Sequence, residues 1–151
     1  MMDATLDLIE ELLRETFEGG RPGQSTQYLD SASGIRRTLG SLTAAQASAS
    51  RNGHPSIAAH ARHMHFHMVT TIEWLQGVRN RHDWPGSFRP FAVEPGEWEA
   101  IQRALEQARL ELMKALRGMS EADFVKEGEG LGALLHLAYH LGAIRQLMHD
   151  V

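Results

Sequence analysis

The sequence predicts an all-α bundle, and three observations carry that prediction. Apolar residues recur three and four apart through four long stretches, Ser and Thr residues stand at cap positions before two of the segments, and no stretch alternates convincingly as a strand would. At 151 residues and 42% hydrophobic composition, the chain has the length for one domain with a real core, read here as residues 1–151.

Asp3 to Phe17 places Leu6, Ile9, Leu13 and Phe17 on one face with Asp and Glu between them, the rhythm of an amphipathic helix that stops at Gly19 and Gly20. After the loop residues Arg21, Pro22 and Gly23, Tyr28 to Leu42 carries a weaker helical pattern through Ile35, Leu39 and Leu42. Thr43-Ala44-Ala45-Gln46 reads as a capping box that opens a short extra turn, and Asn52-Gly53-His54-Pro55 breaks the chain. Ser56 is a natural N-cap for a long helix to about Gly77, because its hydroxyl can accept from the free amides of the first turn.

Arg79 to Gly96 contains three prolines together with Trp84, Phe88 and Phe91, an ordered connection able to pack. Packing of the crossover is the first role expected of these aromatics, a lid over a pocket the second. Trp98 to Met119 is the clearest helix, with Ile101, Leu105, Ala108, Leu112 and Ala115 on its stripe, closed by Gly118 and Ser120. Leu131 to the C-terminus forms the last. The long connection has the reach to run back along a helix, so its flanking helices can be parallel; a bundle with one crossover and simple up-and-down order are both admissible.

Charge and composition narrow the function. A formal charge of -4 leaves no basic excess to neutralise phosphates, which argues against nucleic acid. No stretch reaches the roughly 20 apolar residues of a membrane span, and the acidic start does not look like a secretion signal; a soluble cytoplasmic protein is expected. The chain has no cysteine, so any metal site or catalysis must be built from nitrogen and oxygen. Its nine histidines then become the main clue.

His136 and His140 stand four apart on the apolar stripe of the last helix, so both imidazoles face the core one turn apart. Two imidazoles among Leu, Ala and Ile cannot both take a charge without repulsion, and each needs partners for its ring nitrogens; a divalent ion compensates both. His60, His63 and His67 repeat along the inner stripe of the Ser56 helix, whereas His65 points to the other side. Three neutral nitrogens suit zinc, nickel or another borderline ion and leave one coordination position open for water or substrate. Periodicity leaves open which histidine of the Ser56 helix completes the pair, and a closed four-nitrogen site remains an alternative.

Leu135-His136-Leu137-Ala138-Tyr139-His140-Leu141-Gly142-Ala143-Ile144 resembles the C-terminal signature of the DinB/YfiT-like metalloenzyme family, a histidine pair four apart followed by x-Gly-Gln-Ile, with Ala143 in place of the usual Gln. In that family the remaining ligand follows seven residues after the Ser or Thr that opens the second helix, and counting from Ser56 gives His63. Asp83-Trp84, Ser87 and Glu97-Trp98 extend the resemblance over the crossover and the third-helix entry. It implies a four-helix bundle of DinB/YfiT type, with a long crossover between the second and third core helices and an extra N-terminal helical segment. It also implies a divalent ion on His63, His136 and His140, zinc or nickel first among the choices.

The activity the resemblance implies is that of thiol-dependent transferases and isomerases, the bacillithiol transferases and mycothiol-dependent maleylpyruvate isomerase among them. A metal-activated low-molecular-weight thiol, or water, would then attack a small-molecule substrate. His60 and His67, flanking the ligand on its own face, are candidates for proton transfer, with ordinary core-edge packing as the plainer role. The absence of a carboxylate on the inner stripes favours an alternative, a non-catalytic metal- or ligand-binding stress module. Leu134, Leu135 and Leu141 extend apolar character around the last helix, Ala138 and Gly142 permit close approach, and Tyr139 turns outward; a symmetric homodimer through this helix is the expectation.

Overall fold

The amphipathic rhythm of the first segment becomes α1, Met2–Glu18, in a computed structural model that describes residues 2–151. Leu6, Ile9, Leu13 and Phe17 are buried along its inner face. Gly19 ends it at φ +86, where a Cβ would also come within 2.7 Å of the Ser31 carbonyl oxygen, so glycine is required there twice over.

The next segment differs from the expected helix over Tyr28 to Leu42: only α2, Ile35–Gly40, is helical. The cause is Glu15. Its carboxylate, 1% exposed, accepts from the backbone N–H groups of Gln27, Tyr28 and Leu29 at 2.8, 2.6 and 2.7 Å, while Thr16 Oγ1 meets the Tyr28 hydroxyl at 2.5 Å. Those amides are committed to a loop folded against α1, and a helix can begin only after Gly34. The capping box at Thr43 is present and opens α3, Ala44–Ser48.

Ser56 caps α4, Ile57–Leu75, by accepting from the Ala59 N–H at 3.1 Å, and its hydroxyl donates to the Phe91 carbonyl. The connection from residue 79 onward holds one 3-10 turn, Pro85–Phe88, and is tied back along its length. The Val93 N–H donates to Ser48 Oγ at 2.9 Å, and Trp98 Nε1 donates to the Leu42 carbonyl at 3.0 Å. Then come α5, Pro95–Arg117, the short α6, Glu121–Glu127, capped by Ser120, and α7, Glu129–Leu147. The sequence pattern had stopped at Ser120 without predicting α6 and began the last helix two residues late.

Contacts between the helices choose the topology. Arg117 at the end of α5 pairs with Asp7 near the start of α1 at 2.8 Å, and Arg109 pairs with Glu18 at 3.2 Å, so α1 and α5 are antiparallel. Arg62 lies 3.9 Å from Glu97 near the starts of α4 and α5, and Ile72 and Leu75 share a cleft with Ala115 and Gly118 near their ends. Those two helices are therefore parallel, joined by the crossover. His60 meets His140 and His67 meets His136, which makes α7 antiparallel to α4. Each of the four long helices packs on two others, α1 and α4 both lying against α5 and α7.

Met64, Met68, Leu105, Leu112, Leu116, Leu137, Leu141 and Ile144 are fully or almost fully buried at the centre. The core takes in Leu134 and Leu141, which lie beyond the inner stripe that the sequence predicts for the last helix. Its outward apolar residues are Leu131, Leu135 and Tyr139. Among the described residues there is no strand, and no helix is long and apolar enough to cross a membrane.

Burial pushes the Glu15 carboxyl up, but its three N–H partners outweigh that and hold it below its ordinary value of 4.5. Its stabilisation is thus fully present above the unfolded value and is lost as pH falls through the lower folded one. Glu15→Gln replaces an acceptor oxygen by a donor facing N–H groups and should cost about 2 kcal/mol in urea unfolding at neutral pH. The gap to the wild type should narrow progressively as the buffer is acidified below pH 4.5; a gap that stays constant would contradict this.

Candidate metal centre

Five histidines meet where α4, α7 and the crossover come together. On α4 the positions 60, 63 and 67 fall on one face because three- and four-residue steps bring side chains back to the same side of a helix, and 136 and 140 do the same on α7. Antiparallel packing then sets the two rows against each other. His63, His136 and His140 each offer a ring nitrogen, and these atoms all lie within 4.8 Å of one another. Two of them, His63 Nε2 and His136 Nε2, are 3.1 Å apart. Ligand nitrogens on a tetrahedral ion with bonds of about 2.0–2.1 Å stand about 3.3 Å apart, so the His63–His136 pair is already at that spacing, and the third donor, within 4.8 Å, is near enough for the three to hold one such ion.

The partners of the outer nitrogens determine which lone pairs point inward. Ser87 Oγ donates to the Trp84 carbonyl at 2.6 Å, which uses its one proton; the contact of 2.6 Å to His63 Nδ1 must then run from the imidazole to the hydroxyl. His63 carries its proton on Nδ1 and keeps an Nε2 lone pair aimed at His136. His140 Nδ1 lies 2.9 Å from His60 Nδ1, so that contact occupies the outer nitrogen of His140 and leaves Nε2 as its free donor. His136 Nδ1 is buried with no hydrogen-bond partner.

Ring packing fixes the planes. Phe88 stacks on His63 at 3.9 Å and 11°, and His67 stacks on His136 at 3.7 Å and 10°. Trp84 lies edge-on to His63 and tilted against His67, and packs in turn on Phe66 and Trp74. The 3-10 turn thus puts Trp84 and Phe88 directly over the histidines. Phe91, grouped with them by composition, lies instead under the Arg89 guanidinium at 4.5 Å. His82 packs against Phe66 and Trp84 beside this roof, its Nε2 lying 3.1 Å from Glu73 without the geometry of a hydrogen bond.

Burial first, and then the neighbouring imidazoles, push His63 and His140 down to about 4 and His136 to about 3. Burial also lowers His60 and His67. At neutral pH the three donors are uncharged, so a cation binding there displaces no proton. The unfolded chain takes up these protons near pH 6.5, so the ion-free fold loses stability as pH falls from there toward 4.

All three proposed ligands come together. His60 sits behind His140 as its hydrogen-bond partner and His67 lies against the face of His136, while His65 is on the far side of α4 in a separate cleft. Ser87 stands in the sequence only within the motif resemblance, and nothing there predicts its contact to His63; the Pro-Gly turn before it, between Trp84 and Phe88, is the one local signal of its place. Comparison of the chain with protein-family models, with curated proteins and with solved structures gives no match.

Ser87→Ala removes the acceptor that fixes the His63 ring and should weaken zinc binding about 10–100-fold in a chelator competition assay. Unchanged affinity would show that the contact plays no part in ligation.

Proposed function

We propose that this chain is a metal-dependent enzyme of the DinB/YfiT-like kind, holding a divalent ion, zinc or nickel, on His63, His136 and His140. Its substrate chemistry is the transfer or isomerisation reaction of a low-molecular-weight thiol, or hydrolysis by water at the same position. The observation that carries the reading is the convergence of three uncharged imidazole donors from two helices, with His63 held in one tautomer by Ser87. When bound, the ion supplies Lewis acidity that lowers the pKa of a thiol or water in its open position, making it a nucleophile at neutral pH.

The chain's own groups orient and shield. With an ion on His140 Nε2, the proton of that ring would lie on Nδ1 and be donated to His60 Nδ1, 2.9 Å away, which would hold the ring in place. His67, stacked on the face of His136, is our candidate for taking up the proton that the nucleophile releases, although burial lowers its pKa and so weakens it as a base. Trp84 and Phe88 supply an apolar roof that limits water over the donors.

A second reading, a binding module without turnover, is favoured by one observation: the hydrogen bonds of the donor histidines run to Ser87 and other histidines, with no carboxylate among them.

The two are separated by experiment. Protein purified without an affinity tag should contain one equivalent of metal, and His63→Ala should contain almost none; equal content in both would reject the triad. Incubation with a panel of low-molecular-weight thiols and an alkylating electrophile should then give conjugation that depends on added metal and is lost in His63→Ala. Absence of turnover with every thiol would favour the binding module.

A further inference from the structure

The hydroxyl that fixes His63 is carried by a single turn of the crossover, and that turn is closed by a carboxylate with no other task. Asp83 Oδ1 accepts from the Gly86 N–H at 3.0 Å, and the Asp83 carbonyl accepts from the Ser87 N–H at 3.1 Å. Both bonds brace the 3-10 turn Pro85–Phe88. Within it Ser87 Oγ donates to the Trp84 carbonyl and accepts from His63 Nδ1, each at 2.6 Å. A short acidic side chain that takes the amide three residues on competes well for such a turn, because it satisfies an N–H the backbone would otherwise leave free. The second carboxylate oxygen is fitted as closely. A Cβ on Gly86 would collide with Asp83 Oδ2, so the carboxylate occupies space that only a glycine leaves open.

From this we infer that Asp83 is a positioning residue for the metal centre, acting through Gly86 and Ser87 to hold His63 in the tautomer whose Nε2 lone pair faces His136. The inference rests on the reading of His63 as a ligand. Once the turn is loosened, Ser87 Oγ is no longer tied to the Trp84 carbonyl and can turn its proton toward His63 Nδ1. The imidazole proton then moves to Nε2, the nitrogen that an ion needs bare. Asp83 also shares a cleft with Arg62 and Arg89, so balancing their charge is the competing role. What the turn requires of Asp83 is an accepting oxygen, not a negative charge. Trp84 remains packed on Phe66, Trp74 and His82, so the crossover keeps its place when the carboxylate is removed.

The test compares the full-length wild type with Asp83→Ala, Asp83→Asn and Gly86→Ala, each checked for fold by circular dichroism. Zinc affinity is read by chelator competition, and the protonated nitrogen of His63 by nitrogen NMR of the metal-free protein. Asp83→Ala should weaken zinc binding about tenfold and move the His63 proton from Nδ1 toward Nε2. Asp83→Asn keeps the accepting oxygen and should match the wild type in both readouts. Gly86 does not use a left-handed backbone, so Gly86→Ala adds only a Cβ that displaces the carboxylate. It should reproduce Asp83→Ala, and it carries the test if Asp83→Ala does not fold. In the double variant the two losses should not add, since both remove one interaction. Asp83→Asn behaving like Asp83→Ala, or a folded Asp83→Ala or Gly86→Ala that keeps the wild-type tautomer, would overturn the proposal. Zinc bound equally by wild type and Asp83→Ala would sink this proposal alone, whereas a wild type that binds no zinc would sink the ligand reading and the proposal with it.

Discussion

The structure turns on two ring nitrogens, His63 Nε2 and His136 Nε2, facing each other at 3.1 Å inside an apolar bundle. The proton of His63 is committed to Ser87, so its inner nitrogen is a lone pair. Without a cation, the contact is satisfied only by a proton on His136 Nε2, which leaves His136 Nδ1 as a buried acceptor with no partner. With a cation on the inner nitrogens, His63, His136 and His140 would all be used as donors, while His136 Nδ1 stays without a hydrogen-bond partner in either state. A cluster of uncharged imidazoles in a site that lowers every one of their pKa values is suited to an ion and poorly suited to carrying charge itself.

The remainder of the fold can be understood as holding those rings in place. Antiparallel packing of α4 and α7 sets the two histidine rows opposite each other. The crossover is long because α4 and α5 run the same way, and a connection of that length passes directly over α4. Its 3-10 turn supplies the Ser87 hydroxyl, the Phe88 ring and the Trp84 roof together. Ser56 and Ser48, which grip the crossover at Phe91 and Val93, therefore contribute to the site from a distance.

Much of this was legible in the sequence, and what was not has physical causes. The helix stripes and the caps at Thr43 and Ser56 are local signals, and they gave the long helices and the inward histidines. Tyr28 to Gly34 was misread because the competing partner, Glu15, is more than ten residues away and its carboxylate looks like any other on an amphipathic helix. The contact of Ser87 with His63 was not legible, since only a Pro-Gly turn marks its place in the sequence and the contact itself spans the crossover, which no periodicity encodes. Relative helix direction was likewise settled only by pairs such as Arg62 with Glu97 and Arg117 with Asp7.

The most direct measurement is X-ray absorption at the metal edge of the zinc- or nickel-loaded protein, free of any tag. Three imidazole nitrogens converging from α4 and α7 predict a first shell of nitrogen or oxygen donors at about 2.0–2.1 Å, with the multiple-scattering signature of three imidazoles. A shell lacking imidazole scattering, or a spectrum unaltered in His136→Ala, would contradict the assignment.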